Sequence, residues 1–214
     1  MKCCSQCAGL EQVFDDRTAQ DDLKAYRRNG PDTTTQMLLD AITVNGVQGM
    51  TLLDIGGGVG AILHPLLKAG ITQAVGVDAS ASYIRASQQE AERLGNSDKV
   101  TYHHGDFVSL APQIEAADIV TLDRVVCCYP DMPALVGLSV DRARRYYGLV
   151  YPIDRLPYKL ALPIVNGYFR LVRNPYRMFL HSTREVQALV EGRGFQSIYE
   201  HRGVLWQVSV YERM

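Results

Sequence analysis

The sequence predicts an α/β fold in which helices cover both faces of a largely parallel sheet. Three observations lead to it. Short apolar runs alternate with segments of helical periodicity, a glycine-rich segment follows the first of these runs, and the last two runs are close enough to form a hairpin. With 214 residues, of which 47% are hydrophobic, the chain is long enough to bury the core of one such domain.

Seven apolar runs are predicted to form the strands. The five expected to be parallel are residues 50–55, 74–78, 100–104, 119–122 and 147–151. The last two, 196–201 and 205–212, predict an antiparallel hairpin with Gly203 in its turn. The chain is therefore expected to close its sheet with one antiparallel pair.

Segments with helical periodicity lie between and before these strands. The predicted helices are residues 18–28, 32–42, 60–69, 80–94 and 132–145. Ser80 is expected to cap the fourth of them and Gly95 to end it. The short segment 110–116 has no clear pattern and stays unassigned.

Composition limits the partners and the compartment. Lys and Arg number 22 against 23 Asp and Glu, so no overall positive charge favours nucleic acid. The N-terminus lacks the apolar run of a secretory signal, and no apolar stretch is long enough for a transmembrane helix, which predicts a cytoplasmic protein. Five cysteines in two groups favour a reducing compartment; they are Cys3, Cys4, Cys7, Cys127 and Cys128.

The most informative segment is TLLDIGGGVG at residues 51–60, an apolar strand that enters a glycine cluster and then a helix. Glycines allow the backbone to pass close to a ligand. Asp54 precedes the first glycine by two residues. A carboxylate there does nothing for a dinucleotide pyrophosphate, whereas it suits a cofactor that carries an ammonium and a sulfonium group.

Carboxylates also end the next two predicted strands. Asp78 follows Asp54 by 24 residues, and its carboxylate can accept hydrogen bonds from two vicinal hydroxyls of a ribose. Asp106 is followed by Phe107, which pairs an acceptor for an exocyclic amine with an apolar surface for a base. The ends of three strands therefore predict a nucleoside site.

The segments LLDIGGGVG, GVDAS, GDF and ADIVTLDRVVCCYPD, in this order, resemble the successive motifs of class I S-adenosylmethionine-dependent methyltransferases of the small-molecule type. This resemblance implies a Rossmann-like seven-stranded sheet and S-adenosylmethionine as cofactor. It also implies a cofactor site formed by Asp54, Gly56, Gly58, Gly60, Asp78, Ala79, Asp106, Phe107 and Asp123. Tyr26 or Arg28 is a further candidate for the cofactor carboxylate.

The chain departs from that family after the fourth strand. Many small-molecule members carry a His-His pair where this chain has Cys127 and Cys128, so a histidine base at that place is excluded. Asp123 and Tyr129 are the remaining catalytic candidates, since chemistry lies at the C-terminal ends of parallel strands. The alternatives are that Asp123 pairs with Arg124 or caps a helix and that Tyr129 only packs.

The cysteines and the segment 155–181 each allow more than one interpretation. Cys127 and Cys128 are either small apolar fillers of the acceptor pocket or, with the N-terminal cysteines, thiolates for a soft metalloid such as arsenite; no metal site is assigned. The segment contains no acid and five basic residues, namely Arg155, Lys159, Arg170, Arg173 and Arg177. It is either a solvated helix packed on the core, a cap that favours an acidic or amphipathic acceptor, or a contact with a membrane surface.

These observations predict one domain over residues 1–214, with a lid (1–49), a cofactor-binding core (50–154), a cap (155–181) and a closing helix with hairpin (182–214). The expected function is methyl transfer to a small-molecule acceptor. The alternatives are a cofactor-binding sensor or partner subunit without catalysis and a thiol-dependent metalloid methyltransferase. A nicotinamide-dependent oxidoreductase is disfavoured by Asp54 and by Asp106 with Phe107. The oligomeric state stays open.

Overall fold

The computed structural model describes the backbone of residues 5–214 and the side chains from residue 9 onward. In this part of the chain seven strands form one sheet in the order β3-β2-β1-β4-β5-β7-β6. Their bounds are Thr51–Ile55 (β1), Gln73–Asp78 (β2), Val100–His104 (β3), Ala117–Asp123 (β4), Ala143–Pro152 (β5), Phe195–Arg202 (β6) and Trp206–Arg213 (β7).

The first five strands pair in parallel, and β7 is antiparallel to both of its neighbours, β5 and β6. Gly203 lies in the connection between β6 and β7, and its amide donates to the Trp206 carbonyl over 2.9 Å. The predicted Rossmann-like sheet with a C-terminal antiparallel hairpin is therefore confirmed.

Among the described residues, three α-helices precede β1, one follows each of β1 to β4, and two lie between β5 and β6. They are Ser5–Val13 (α1), Asp16–Asn29 (α2), Thr33–Thr43 (α3), Leu63–Lys68 (α4), Ala81–Arg93 (α5), Phe107–Leu110 (α6), Met132–Val140 (α7), Leu156–Leu171 (α8) and Thr183–Glu191 (α9). Side chains of α3 and α4 pack on one face of the sheet, and those of α6, α7 and α9 pack on the other. None of the described helices is long and apolar enough to span a bilayer.

The central strands bury both of their faces, which explains their nearly continuous apolar sequences. In β1, Leu52 packs with the cluster of α3 and α4, and Leu53 packs with the cluster of α7 and α9. Ile119 and Val120 of β4 divide in the same way. Successive side chains of a strand alternate between faces, so each central strand contributes to two cores.

Two predicted helix bounds are wrong. The helix predicted over 132–145 ends at Val140, and residues 143–146 belong to β5, because Ala143 pairs with Ala117 of β4. The helix predicted from residue 60 begins at Leu63, because turns of the glycine segment occupy the preceding residues. The unassigned segment 110–116 contains the end of α6 and one short 3₁₀ turn.

The three helices before β1 differ in their packing. Leu38 and Ile42 of α3 are fully buried against the sheet, and a Cβ added to Gly148 of β5 would lie 2.8 Å from Leu38 Cδ1. The second helix instead lies along α5, where Arg27 Nε donates to buried Glu90 over 2.7 Å. Within the predicted lid, α3 is therefore also part of the helical cover of the sheet.

Candidate active site

A cavity of about 510 Å³ lies at the C-terminal ends of the parallel strands, beneath α1, α2 and α3. Nearly all of the residues that the sequence predicts in a cofactor or catalytic site line this cavity. Those that line it are Asp54, Gly56, Gly58, Asp78, Ala79, Asp106, Phe107, Asp123 and Tyr129. Tyr26 lines it as well, whereas Arg28 and Gly60 do not.

The glycine segment passes close to its neighbours. Gly56 has a φ of +65°, and a Cβ there would lie 2.3 Å from Val125 Cγ2. At Gly57 a Cβ would lie 2.6 Å from Asp54 Oδ2. Because neither position has room for a side chain, the backbone itself forms the wall of the cavity.

Gly60, predicted to belong to the cofactor site, does not line the main cavity. Its φ is +84°, and an added Cβ would meet His64 Nε2 at 2.5 Å and Ser87 Oγ at 2.8 Å. Gly60 thus allows α4 and α5 to pack closely behind the glycine segment, outside the main cavity.

Asp54 is almost fully buried, and only one of its two carboxyl oxygens is satisfied. Oδ1 accepts from the Thr121 hydroxyl over 2.8 Å, and Oδ2 has no hydrogen-bond partner among the described residues. Burial raises the pKa of Asp54 to about 7, and the carboxylates of Asp123 and Asp78 act in the same direction. An orphaned buried acceptor at a cavity wall fits a ligand that carries a donor or a positive charge.

Asp78 at the end of β2 is held by two backbone amides. Gly58 N–H donates to Oδ2 over 3.1 Å and Ser80 N–H donates to Oδ1 over 2.8 Å. Burial raises the pKa of this carboxyl. Each oxygen keeps a second lone pair for a ligand, so these bonds fix the carboxylate without exhausting it.

Asp106 and Phe107 meet the cavity at the end of β3. The Asp106 carboxylate caps the short helix α6, accepting from the amides of Val108 and Ser109 at 3.3 Å and from the Ser109 hydroxyl at 2.7 Å. Phe107 is buried in the core cluster beside Leu53. The cap orients Asp106, and the Phe107 ring gives this end of the cavity an apolar wall.

Asp123 ends β4 and contacts the third helix. Its Oδ2 accepts from the Thr35 hydroxyl over 2.5 Å, and Oδ1 is buried without a hydrogen-bond partner among the described residues. Burial raises the pKa of Asp123. The alternative that Asp123 pairs with Arg124 is also present, as an ion pair without a hydrogen bond: Arg124 Nε lies 3.7 Å from Asp123 Oδ1, while Arg124 Nη2 bonds to Asp32 and Thr34.

The two neighbouring cysteines differ in position. Cys127 is buried, whereas Cys128 lines the cavity, and their sulfurs are 3.8 Å apart. Hydrogen bonds from the Cys127 thiol and from the Tyr176 hydroxyl, 3.0 Å from Cys128 Sγ, lower the pKa of Cys128. Cys3 and Cys4 lie outside the described residues, as does the side chain of Cys7 in α1.

Several residues of the site were not singled out from the sequence. Thr35 and Asp32 line the cavity and Tyr176 contacts Cys128, although all three come from segments distant in sequence from the glycine loop. The Tyr129 carbonyl is 2.9 Å from His181 Nε2. Asp32 before three threonines has the pattern of a helix N-cap, and its carboxylate does accept from the amides of Thr34 and Thr35. That signal marks a helix start and gives no hint of the cavity.

Comparison with known proteins agrees with this geometry. Residues 52–139 match the family described as "Methyltransferase domain". Ribosomal protein L11 methyltransferase of Enterobacter sp. (strain 638) is 32% identical over 120 residues, which cover 51% of this chain and 40% of that protein. Ubiquinone biosynthesis O-methyltransferase of Azorhizobium caulinodans is 31% identical over 137 residues, which cover 62% of this chain and 51% of that protein.

A solved structure extends the likeness to the whole fold. Magnesium protoporphyrin IX methyltransferase from Synechocystis PCC 6803, crystallised with bound SAH, superposes with a TM-score of 0.71 at 19% identity and covers 98% of this chain and 100% of that one. The chain spans about half or less of the length of the two curated relatives above. Residues 52–139 are thus similar to the methyltransferase-domain family, and the fold is that of the class I S-adenosylmethionine-dependent methyltransferases.

Proposed function

We propose that this chain transfers a methyl group from S-adenosylmethionine to a small-molecule acceptor. The observation that carries the proposal is the unpaired, buried Oδ2 of Asp54 at the wall of the cavity, directly beneath the glycine loop. A buried carboxylate oxygen without a partner is costly, and a cationic ligand group offsets that cost.

The donor set fits the whole cofactor. The backbone of Gly56 and Gly58 and the carboxylate of Asp54 would hold its methionine end, Asp78 and Ala79 its ribose, and Asp106 with Phe107 its adenine. A volume of about 510 Å³ lies within the usual range for small-molecule sites. When bound, S-adenosylmethionine supplies an electrophilic methyl group on a sulfonium.

The residues at the end of β4 would act on the acceptor. Methyl transfer depends mainly on alignment and on exclusion of water, which α1 to α3 provide by covering the cavity. Asp123 keeps one oxygen without a hydrogen bond and has a raised pKa, so it can take a proton from an acceptor hydroxyl or amine. Tyr129 lines the same side and would position the acceptor.

A cavity of about 510 Å³ walled partly by aromatic rings suits a small-molecule acceptor. Phe14, between α1 and α2, packs edge-on against Tyr83 at 5.7 Å and against Tyr176 at 6.2 Å. Phe14 and Tyr83 both line the cavity, so this ring contact is part of its wall. Of the similar proteins, one is named for ubiquinone biosynthesis, one for magnesium protoporphyrin IX and one for ribosomal protein L11, so the acceptor class needs a direct test.

The test is transfer of tritiated methyl from S-adenosylmethionine to a panel of hydroxylated aromatics, carboxylic acids, amines and the isolated ribosomal protein L11. We expect turnover with at least one small acceptor and its loss in Asp123→Asn. Turnover with the ribosomal protein alone would contradict the small-molecule assignment. Binding of cofactor with no transfer to any acceptor would favour a sensor or partner subunit.

A further inference from the structure

The helix α8, Leu156–Leu171, presents an apolar face to solvent. None of its residues is buried. The large apolar side chains on its outer face recur every three or four residues, at Leu156, Leu160, Ile164, Tyr168 and Leu171. Ile164 is 76% exposed and Leu171 81% exposed. This spacing places all five on one side of the helix.

The opposite side of α8 is fixed to the body of the protein. The Tyr158 hydroxyl donates to the Val204 carbonyl over 2.8 Å. The Asn166 side chain makes two bonds of 2.9 Å to the backbone of Met178. These contacts hold the helix in one orientation, so the outward position of its apolar face is part of the fold.

Charge distinguishes this segment from the rest of the chain. Residues 155–181 hold five basic residues and no acid, while the chain as a whole has a formal net charge of −1. An apolar face bordered by cations matches the interface of a bilayer with anionic headgroups, where apolar side chains enter the acyl boundary and cations meet phosphates.

We propose that α8 docks this protein on the surface of an anionic lipid bilayer. With 16 residues and a length of about 24 Å, the helix lies along the surface and does not cross it. Lipid is a better occupant than a second copy, because a symmetric contact would bring two sets of like charges together. The proposal does not rest on methyl transfer.

Docking would place the cavity close to the bilayer. Phe169 of α8 packs edge-on against Tyr176, with ring centroids 4.9 Å apart. The Tyr176 hydroxyl in turn contacts Cys128, which lines the cavity. A lipophilic acceptor dissolved in the membrane would therefore have a short path to the site.

The test is co-sedimentation of the full chain with vesicles of phosphatidylcholine alone or with phosphatidylglycerol. We expect binding to the anionic vesicles that weakens with salt. Both the apolar pair Leu160→Glu/Ile164→Glu and the charge pair Arg170→Glu/Arg173→Glu should weaken it about tenfold or more. The matched control is Val44→Glu/Met214→Glu, at residues 74% and 83% exposed that make no contact with α8, which should bind like the wild type.

Circular dichroism and S-adenosylhomocysteine binding verify that each variant is folded. Absence of binding to anionic vesicles would overturn the proposal. So would binding that is lost in the charge pair but unchanged in the apolar pair, because this means adsorption without insertion. Dimerisation in sedimentation velocity that Leu160→Glu/Ile164→Glu abolishes, without vesicle binding, would assign the face to a second copy instead.

Discussion

The Thr35 hydroxyl of α3 donates to Asp123 Oδ2 at the end of β4 over 2.5 Å, and this bond joins two segments 88 residues apart across the cavity. Beside it, the Arg124 guanidinium bonds to Asp32 and Thr34 at the start of the same helix. The N-terminus of α3 is thus fastened to the strand that carries the proposed catalytic carboxylate, which couples the position of Asp123 to the helices covering the site.

Replacing Thr35 with Val removes the hydrogen bond to Asp123 but keeps the packing, since Thr and Val side chains have nearly the same shape. The variant leaves Asp123 buried with neither oxygen hydrogen-bonded, so we expect a loss of about 1 to 3 kcal/mol in the free energy of unfolding. Urea denaturation measures it. The control Thr33→Val, at an exposed position of the same helix, should stay within about 0.5 kcal/mol of the wild type. Equal stability of the two variants would show that the hydrogen bond between Thr35 and Asp123 does not stabilise the fold.

The glycine loop can be tested with two glycines of equal conformation. Gly56 and Gly95 have φ values of +65° and +67°, but an added Cβ meets Val125 at 2.3 Å only at Gly56 and nothing within 4 Å at Gly95. Both alanine variants should be destabilised, because alanine disfavours the left-handed backbone conformation. The contact with Val125 should make Gly56→Ala less stable than Gly95→Ala by about 1 to 3 kcal/mol. Gly56→Ala should also bind S-adenosylhomocysteine more weakly, which Gly95→Ala should not. Equal stability and equal S-adenosylhomocysteine affinity of the two variants would show that the loop accommodates a Cβ at Gly56 without strain.

The pKa of Asp54 has a consequence for stability against pH. Folding raises it from 3.8 to about 7, so the folded protein keeps a proton that the unfolded chain releases within this window. The contribution of Asp54 is therefore complete at low pH and is lost as the pH rises through 7. Relative to Asp54→Asn, which does not titrate, the wild type should lose on the order of 3 kcal/mol between pH 5 and pH 8.

Urea denaturation across this range measures the difference between the two proteins. The control Asp98→Asn, at an exposed residue, should run parallel to the wild type at every pH. A parallel curve for Asp54→Asn as well would show that Asp54 is ionised in the folded protein and is not desolvated as described.

The sequence predicts the sheet and the glycine loop well, because both follow from local patterns. Apolar runs identify strands buried on both faces, and Asp54, Asp78 and Asp106 follow from their places at strand ends. The helix end at Val140 was missed, because four of the residues 141–145 are charged and only pairing with β4 makes residues from Ala143 onward a strand. The apolar pattern of α8 is as consistent with a face packed on the core as with an exposed face, and only the tertiary structure shows that the face is exposed.

Contacts between distant segments could not be predicted at all. Thr35 and Tyr176 carry no local sign that they meet Asp123 and Cys128. Gly60 was assigned to the cofactor by its motif, yet its neighbours are His64 and Ser87 behind the loop. A sequence motif identifies the loop, but the direction in which each residue of the loop faces depends on the helices packed around the loop.

The contact between Tyr176 and Cys128 predicts a difference in thiol reactivity. Tyr176→Phe removes one of the two hydrogen bonds that lower the pKa of Cys128, so a smaller fraction is thiolate at pH 7.5 and carboxamidomethylation of Cys128 should slow severalfold. Peptide-resolved mass spectrometry follows Cys128 alone. Tyr158→Phe, whose hydroxyl bonds to Val204 elsewhere, is the control. Unchanged or faster alkylation would contradict the assignment.

The measurement that tests the central claim most directly is calorimetric titration of the full chain with S-adenosylhomocysteine and, separately, with nicotinamide dinucleotides. We predict one S-adenosylhomocysteine site per chain, no nicotinamide binding, and a loss of about 1.5 to 3 kcal/mol of binding free energy in Asp78→Ala, but none in the exposed control Asp98→Ala. Tight nicotinamide binding without any response to S-adenosylhomocysteine, or equal affinities of wild type and Asp78→Ala, would contradict it.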